Sequence, residues 1–191
     1  STPVTAPATP LVLQPPVTPF VPGTAAVGFV EGALVRVANA FKVFVVKAFN
    51  LLHIPNPSAF AALGLSWRNI QEVTPSSVSS TPEITLQRGA TDFKVYTVRD
   101  GKKLHIPNPQ AFTKAGHKWE DIVDVQKGFI ENTPDASLIR PSDSQKVYRI
   151  EKGKLRWITS LQAFNRMKLN WANVAVVTPN ELYYPVGKDI K

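Results

Sequence analysis

Two identical hexapeptides contain the residues of this sequence that are best suited to chemistry. LHIPNP occupies residues 52–57 and again 104–109, which places His53 and His105 in the same surroundings. Histidine is the usual general base at neutral pH and a common zinc ligand. The corresponding residue one repeat later is Trp157, which can serve as neither. We therefore interpret this position as a flat, amphipathic ring that packs against a small core.

The remaining residues form no other catalytic pattern. The sequence has no cysteine, and it lacks the G-x-S-x-G, H-E-x-x-H, G-x-G-x-x-G and P-loop motifs. Glu120, Asp121 and Asp124 lie close together, but most of their equivalents in the other copies are not acidic, which is typical of a solvated face. His117 aligns with leucine in both other copies and is interpreted as structural. We predict a protein that is not an enzyme and that uses neither a metal nor another cofactor.

The hexapeptides belong to an internal repeat with a period of 52 residues, which aligns without gaps. We assign repeat 1 to residues 33–84, repeat 2 to 85–136 and repeat 3 to 137–191, after a leading segment of residues 1–32. The aligned positions include Leu34, Leu86 and Leu138; Arg36, Arg88 and Arg140; Phe60, Phe112 and Phe164; and Trp67, Trp119 and Trp171. Because the arginines recur in every copy, we expect them to make bonds within the fold. Ile190 falls one period after Leu138, so the last residues are predicted to begin the first strand of a fourth copy.

Each copy is predicted to fold as β-β-β-α-β, which gives an α+β protein of three small antiparallel sheets with one short helix each. The sequence KVYTV-RDGK-KLHI of repeat 2 predicts a hairpin with Asp100 and Gly101 at its tip, because both central residues of such a turn need positive φ. Asn56 and Asn108 are expected to cap helices of about two turns, each beginning at the following proline. The tryptophans of the three copies are predicted to complete a sealed core beside each helix.

The leading segment has a composition of its own. Its first 30 residues hold seven of the 17 prolines and carry no charged side chain. Proline fixes φ and favours extended, polyproline II geometry. The segment is interpreted either as a flexible linker or, because it is apolar, as an extended arm that docks on a groove or a sheet edge. The predicted partner-contact residues are Leu11, Leu13, Phe20, Phe29 and Phe49, the last at a hairpin tip where the other copies have glycine.

A second candidate binding site lies in repeat 3, which carries most of the net charge of +8. Lys152, Lys154 and Arg156 alternate along a predicted strand and therefore project to one face. Trp157 is adjacent, and Arg149 lies across the hairpin. Basic side chains beside an aromatic ring are suited to an anionic glycan and, less readily, to nucleic acid. Alternating lysines also protect an exposed strand edge from aggregation, which is the other interpretation of this pattern.

The pattern K-V-[FY]-x-V-x-x-G-K-x-x-H-I-P-N-P-x-A-F-x-x-x-G-x-x-W resembles short tandem repeats of bacterial proteins that are often exported or attached to the cell surface. The likeness covers residues 33–179, and repeat 3 departs from the pattern at Trp157, Thr159, Leu161 and Lys168. The resemblance implies an extracellular structural or binding role. No apolar stretch of the sequence is long enough to cross a bilayer.

Two hypotheses of different kinds follow from these patterns. The first is a non-enzymatic assembly protein of an extracellular or surface structure, such as an envelope, a filament or a virion-like shell, in which the arm docks onto a neighbouring subunit. Its partners would be copies of itself or other surface proteins. The alternative is a monomeric binding module that takes a polyanionic glycan or nucleic acid through the basic face of repeat 3.

Overall fold

The computed structural model describes residues 28–191. Three four-stranded sheets follow one another along this part of the chain, and each has a short α-helix between its third and fourth strands. The predicted α+β class and the regular recurrence of the elements are therefore confirmed. The predicted contact residues Leu11, Leu13 and Phe20 lie outside the described residues.

Each repeat has the same order of elements. Repeat 1 contains β1 (Leu34–Val37), β2 (Val43–Lys47), β3 (Asn50–Ile54), α1 (Pro57–Ala62) and β4 (Ile70–Val73), and α2 (Pro75–Ser79) follows it. Repeat 2 contains β5 (Leu86–Gly89), β6 (Val95–Arg99), β7 (Lys102–His105), α3 (Pro109–Lys114) and β8 (Val123–Val125), and α4 (Lys127–Asn132) follows it. Repeat 3 contains β9 (Leu138–Pro141), β10 (Val147–Glu151), β11 (Lys154–Ile158), α5 (Leu161–Arg166) and β12 (Val174–Val177). Short 3-10 turns lie at Trp67–Asn69, Trp119–Asp121, Trp171–Asn173 and Pro179–Glu181.

The sheets are mixed, and not wholly antiparallel as predicted. In repeat 1 the strand order is β3-β2-β1-β4, and both hairpin pairings are antiparallel. The fourth strand pairs in parallel with the first, with Leu34 opposite Ile70. The cause is the helix between β3 and β4, because a strand that follows such a crossover runs parallel to the strand before the helix. That strand, β3, already runs in the same direction as β1, since both are antiparallel to β2. Repeats 2 and 3 have the same strand order.

Local signals determine the helix starts and the hairpin turns. Asn56 and Asn108 each accept a hydrogen bond at 2.8 Å from the backbone N–H three residues later, so both predicted caps are confirmed. Asp100 and Gly101 have φ of +49° and +70°, as the predicted turn requires. In repeat 1 the same left-handed geometry is adopted by Ala48-Phe49, two residues that carry side chains.

The repeated arginines make the internal bonds that the sequence predicted. Arg36 donates to Glu72 at 2.8 Å, and Arg88 donates to Asp124 at 2.7 and 3.0 Å. In both cases the pair joins the first strand of the sheet to the parallel fourth strand. Arg140 donates to a backbone carbonyl of its own repeat at 3.0 Å. The two ion pairs are exposed to solvent and therefore contribute little to stability.

The tryptophans lie at the surface, so the prediction of a sealed core around them is wrong. Trp67, Trp119 and Trp171 are 54%, 57% and 54% exposed. Each indole stacks by one face on the buried phenylalanine of its own repeat, with ring centroids 3.8, 4.1 and 4.2 Å apart. A unit of this size can enclose the phenylalanine but not a second, larger ring beside it.

The core of each of the first two repeats is completed by residues from the following repeat. The core around Phe60 includes Phe129 and Ile130 of α4, the helix that follows the last strand of repeat 2. The core around Phe112 is covered by Tyr183, which follows the last strand of repeat 3. The repeats therefore pack in order, repeat 1 against repeat 2 and repeat 2 against repeat 3. The sequence did not predict α2 and α4. Of these two helices, α4 forms the contact with the preceding repeat, whereas Val78 of α2 packs on its own repeat.

The C-terminal residues pack on repeat 3. Val186 and Ile190 form isolated parallel bridges with Leu155 and Ile158 of β11. Ile190 is buried in the core of repeat 3 together with Phe164. The residue expected to begin a fourth copy thus helps to close the third core.

His53 is a packed ring, as the sequence predicted. It is 8% exposed, and its ring centroid lies 5.4 Å from that of Phe44. The hairpin tip of repeat 2 approaches it so closely that a Cβ on Gly101 would lie 3.0 Å from His53 Cε1. Burial lowers the pKa of His53 to about 4, and the charge of Lys42 acts in the same direction. His105, in the equivalent position of repeat 2, is only half-buried.

We expect Gly101→Ala to destabilise the protein more than Gly153→Ala. Both glycines have left-handed φ, +70° and +67°, so alanine costs about 1 kcal/mol at either position. Only at Gly101 would the new methyl group meet another repeat, at His53 and Pro55. This overpacking is expected to add about 1–3 kcal/mol. Denaturant unfolding of the two variants measures the difference, and equal losses would contradict the packing of this hairpin on repeat 1.

The free energy of unfolding is expected to fall as the pH is lowered from 6.5 to about 4. In that window the unfolded chain binds a proton on His53 and the folded chain does not, so protonation favours unfolding. The loss attributable to this residue amounts to about 3 kcal/mol when complete. We expect His53→Leu to flatten the stability–pH curve measured by denaturant unfolding, and the half-buried control His105→Leu to flatten it less. An unchanged slope in His53→Leu would count against this role.

Candidate functional site

Each repeat presents aromatic rings to solvent. Because their inner faces stack on buried phenylalanines, Trp67, Trp119 and Trp171 are held in fixed orientations with their outer faces open. Phe41 and Phe93 occupy equivalent positions just before the second strands of repeats 1 and 2, and they are 102% and 99% exposed. These two phenylalanines gain no stability from burial in the isolated chain. Folding therefore does not account for them.

In repeat 3 the position equivalent to the exposed phenylalanine and the position of the tryptophan both line one groove. Gln145, which stands where the other repeats have the exposed phenylalanine, and Trp171 both line a groove of about 300 Å³. Trp157, Leu161 and the buried Phe164 also line it. Leu161 is 61% exposed, so the groove offers apolar surface that is open to a partner.

The groove contains several of the residues by which repeat 3 differs from the other copies. Trp157 replaces histidine, Thr159 and Leu161 replace prolines, and Gln145 replaces phenylalanine. Other lining residues, such as Lys146, are the same in all three repeats. Repeats 1 and 2 build the same fold without the altered residues, so the fold does not require them. Their meeting in one place makes the groove the leading candidate site.

The predicted anion site is divided between two faces of the hairpin. The pairing of β10 with β11 places Trp157 opposite Tyr148, and Arg156 opposite Arg149. Because neighbouring residues of a strand point to opposite faces, the indole and the two arginines lie on different sides of the sheet. The cation beside the indole is Lys146, whose Nζ lies 4.6 Å from the ring centroid. The indole of Trp157 therefore lies on the face of the sheet opposite to Arg156 and to Ile158, and Ile158 packs in the core with Phe164.

Part of the charge on the basic face is compensated within the chain. Arg156 forms an ion pair with Glu151 and also donates to the backbone carbonyl of Lys188 at 2.9 Å. The hydrogen bond from Arg156 lowers the pKa of Glu151. Lys152 lies at the hairpin tip with φ of +50°, and both it and Lys154 are exposed.

The described end of the leading segment is fixed on repeat 1. Phe29 packs against a buried cluster that includes Val35. The carboxylate of Glu31 accepts hydrogen bonds from the backbone N–H groups of Ala48 at 3.0 Å and Phe49 at 3.2 Å. These bonds stabilise the left-handed turn, and the Phe49 ring itself is 75% exposed. Of the two predicted contact residues in the described part, Phe29 thus faces its own chain and Phe49 faces solvent.

Repeats 2 and 3 are joined by a buried polar network that the sequence analysis did not predict. The hydroxyl of Tyr183 forms hydrogen bonds with Thr97 and with His117 Nε2, the latter at 2.7 Å. Arg99 donates at 2.7 Å to Glu181, which is fully buried. Burial lowers the pKa of His117 and raises the pKa of Tyr183. Both groups are therefore neutral at pH 7, and His117 has the structural role that its position predicted.

The signal for this network was a break in the repeat pattern. Thr97 stands where repeat 1 has Val45, and Glu181 stands where repeat 2 has Phe129. A polar residue at a position that is apolar in another copy needs a partner if it is buried. Two such replacements, in repeat 2 and after the last strand of repeat 3, could have indicated a polar contact between these repeats.

Within residues 28–191 no cluster of three or more histidine, aspartate or glutamate side chains could hold a metal ion. No helix in the same range has the length and apolar character needed to span a bilayer. No protein-family model matches the chain, and no curated protein matches it.

The chain has a low level of similarity to a solved structure. That structure is described as the periplasmic assembly from the ESX-5 inner membrane complex, and the match has 10% sequence identity and a TM-score of 0.24. The match covers 83% of this chain and 63% of that chain. A likeness at this level does not establish a shared fold.

Proposed function

We propose that this chain is a non-enzymatic assembly protein of an extracellular structure, and that its copies associate through their solvent-facing aromatic rings. The observation that carries the proposal is the recurrence of these rings at equivalent positions of successive repeats. Phe41 and Phe93 bury no surface in the isolated chain, and each tryptophan presents one open face. Contact with a second molecule would remove this apolar surface from water, which is the main favourable term in protein association.

The repeat architecture supports an assembly role. Each repeat holds its tryptophan on a buried phenylalanine, so one chain presents several similar rings in fixed orientations. Fixed rings lose little conformational entropy when a partner binds. Several weak contacts on one rigid chain also reinforce one another, because the second contact forms within an existing complex.

The extracellular location is supported by the sequence pattern of the repeats. That pattern resembles repeats of bacterial proteins that are exported or attached to the cell surface. A chain without cysteine has no thiol to be oxidised in such a compartment. We place the assembly outside the cytoplasm on these grounds.

The basic face of repeat 3 gives less support to the alternative of a polyanion-binding module. Arg156 is already paired with Glu151, and the indole of Trp157 lies on the opposite side of the hairpin. A site for a sugar or a base would need the ring and the cations on one face. The assembly role therefore has the stronger structural support.

We expect the double variant Phe41→Ser, Phe93→Ser to self-associate more weakly than the natural sequence. The association constant from sedimentation velocity should fall by about tenfold or more, as for the loss of aromatic interface anchors. The melting temperature should stay nearly unchanged, because both side chains are fully exposed. Val186→Ser is the control, since Val186 is 72% exposed but is not part of the repeated ring positions.

Two results would overturn this proposal. One is a natural chain that stays monomeric at every concentration tested. The other is a double variant that associates as strongly as the Val186→Ser control.

A further inference from the structure

We propose that the hairpin tip of repeat 1 binds repeat 3 of a neighbouring copy, with the ring of Phe49 against Trp157 and Thr159. This inference rests on the proposed function and names one pair of surfaces through which copies meet. It extends, from one chain to the next, a contact that repeats 1 and 2 already make within the chain. We refer to the surface formed by Trp157 and Thr159 as the repeat 3 socket.

Within the chain, the hairpin tip of repeat 2 lies on the end of the third strand of repeat 1. Gly101 at this tip is buried, and a Cβ built on it would lie 3.0 Å from His53 Cε1 and 3.2 Å from Pro55 Cβ. His53 and Pro55 are two residues apart, so their side chains lie on the same face of the sheet. One repeat therefore receives the hairpin tip of the next on a pair of side chains at the end of its third strand.

The repeat 3 socket is the equivalent surface of repeat 3. Trp157 and Thr159 stand where repeat 1 has His53 and Pro55, and both are half-buried and line the groove. Ile190 pairs with the backbone here, and its N–H donates to the carbonyl of Trp157 at 2.8 Å. Such pairing lies in the plane of the sheet, so it does not occupy the face on which the two side chains lie.

Among the hairpin tips within residues 28–191, the tip of repeat 1 is the one that presents an apolar ring to solvent. Phe49 stands at the position of Gly101 and is 75% exposed. The tip of repeat 3 is also solvent-facing, since a Cβ on Gly153 would meet no atom within 4 Å. It carries the charged Lys152, however, which water solvates well.

The corresponding surface of repeat 2 is already in use. The hydroxyl of Tyr184 donates to the backbone carbonyl of His105 at 2.9 Å, so residues that follow repeat 3 cover this strand end. Within the described residues, the apolar tip without a partner thus belongs to repeat 1, and the socket without a tip belongs to repeat 3.

The backbone of the repeat 1 tip is held in a conformation that its residues do not favour. Ala48 and Phe49 have φ of +49° and +58°, a region that residues with a Cβ rarely adopt. The carboxylate of Glu31 holds the turn by accepting hydrogen bonds from both backbone N–H groups. Backbone strain of this kind is concentrated at binding sites, and here it directs an aromatic ring into solvent.

Both surfaces have changed in the way that this contact requires. Where repeats 1 and 2 meet, the tip residue is glycine, and even a methyl group would overlap His53. In repeat 3 the rigid proline is replaced by Thr159 and the imidazole by the larger indole of Trp157. The tip of repeat 1 carries a phenylalanine in place of the glycine. Paired aromatic rings are more favourable than their buried area alone implies.

The order of the repeats places the tip and the socket in different copies. Repeat 2 packs against repeat 1 through Phe129 and against repeat 3 through Leu104, so it lies between them. A contact from repeat 1 of one copy to repeat 3 of the next joins two different surfaces. Contacts of this head-to-tail kind produce closed rings or open filaments.

Photocrosslinking of the full chain locates the contact. Phe49→p-benzoylphenylalanine keeps an aromatic ring at the tip and makes it photoreactive. Equal amounts of ¹⁵N-labelled and unlabelled chains are mixed and irradiated, and the crosslinked peptides are identified by mass spectrometry. We expect crosslinks from residue 49 to residues 157–161 that join a labelled chain to an unlabelled one. Crosslinks within a single chain, or to other segments, would overturn the inference.

Two variants test the two surfaces by sedimentation velocity. Phe49→Gly gives the tip the residue of the other repeats and should lower the association constant by about tenfold. Its melting temperature should stay unchanged or rise, because glycine adopts the left-handed turn without strain. Trp157→His with Thr159→Pro restores the residues of repeat 1, which support the same fold, and should weaken association to a similar extent. The matched control Lys152→Ala changes the tip of repeat 3 and should leave association unchanged.

A chain that carries both sets of changes shows whether the two surfaces touch each other. Residues in contact are coupled, so this chain should associate about as weakly as either variant alone. Losses that multiply would assign the tip and the socket to separate partners and overturn the inference, while the assembly role would stand. The same conclusion would follow if Phe49→Gly associated as strongly as the control. A natural chain that stays monomeric would overturn both.

Discussion

The structure depends on the inability of a 52-residue unit to enclose its own core. Phe129 and Ile130 of the next repeat pack against the core around Phe60, and Tyr183 covers the core around Phe112 in the same way. Such packing is typical of repeat proteins, in which each unit is stabilised by its neighbours. The tryptophans lie outside this shared core and stack against its phenylalanines. Because the units are small, these rings remain at the surface in fixed orientations.

The two contacts between repeats meet this constraint with different chemistry. Repeat 1 is covered by apolar side chains, whereas repeat 2 is covered by Tyr183 and by the ion pair between Arg99 and Glu181. Removal of one member of a buried pair leaves an uncompensated charge, so the pair penalises incorrect partners more strongly than an apolar contact does. Three repeats with the same fold could otherwise pack in the wrong order. The polar network therefore helps to specify which two repeats meet.

The sequence predicted those features that depend on neighbouring residues. The caps at Asn56 and Asn108 and the turn at Asp100-Gly101 follow from local hydrogen bonds and backbone geometry, and the structure confirms them. The exposure of Trp67 was predicted wrongly, because it depends on which rings the following repeat supplies to the core. The helix α4 was missed for the same reason: its function is to cover a different repeat. A period reveals what each unit shares but not how the units pack.

Comparison of the three copies also separates residues needed for folding from residues available for binding. Positions that are constant, such as the stacked phenylalanine and tryptophan, build the unit. Among positions that vary, some changes are matched by a partner within the chain, as Thr97 is by Tyr183. The changes at Trp157 and Leu161 have a different setting, since they meet at a surface groove. Neither change is needed for the fold, since repeats 1 and 2 build the same sheet and helix with histidine and proline at these two positions.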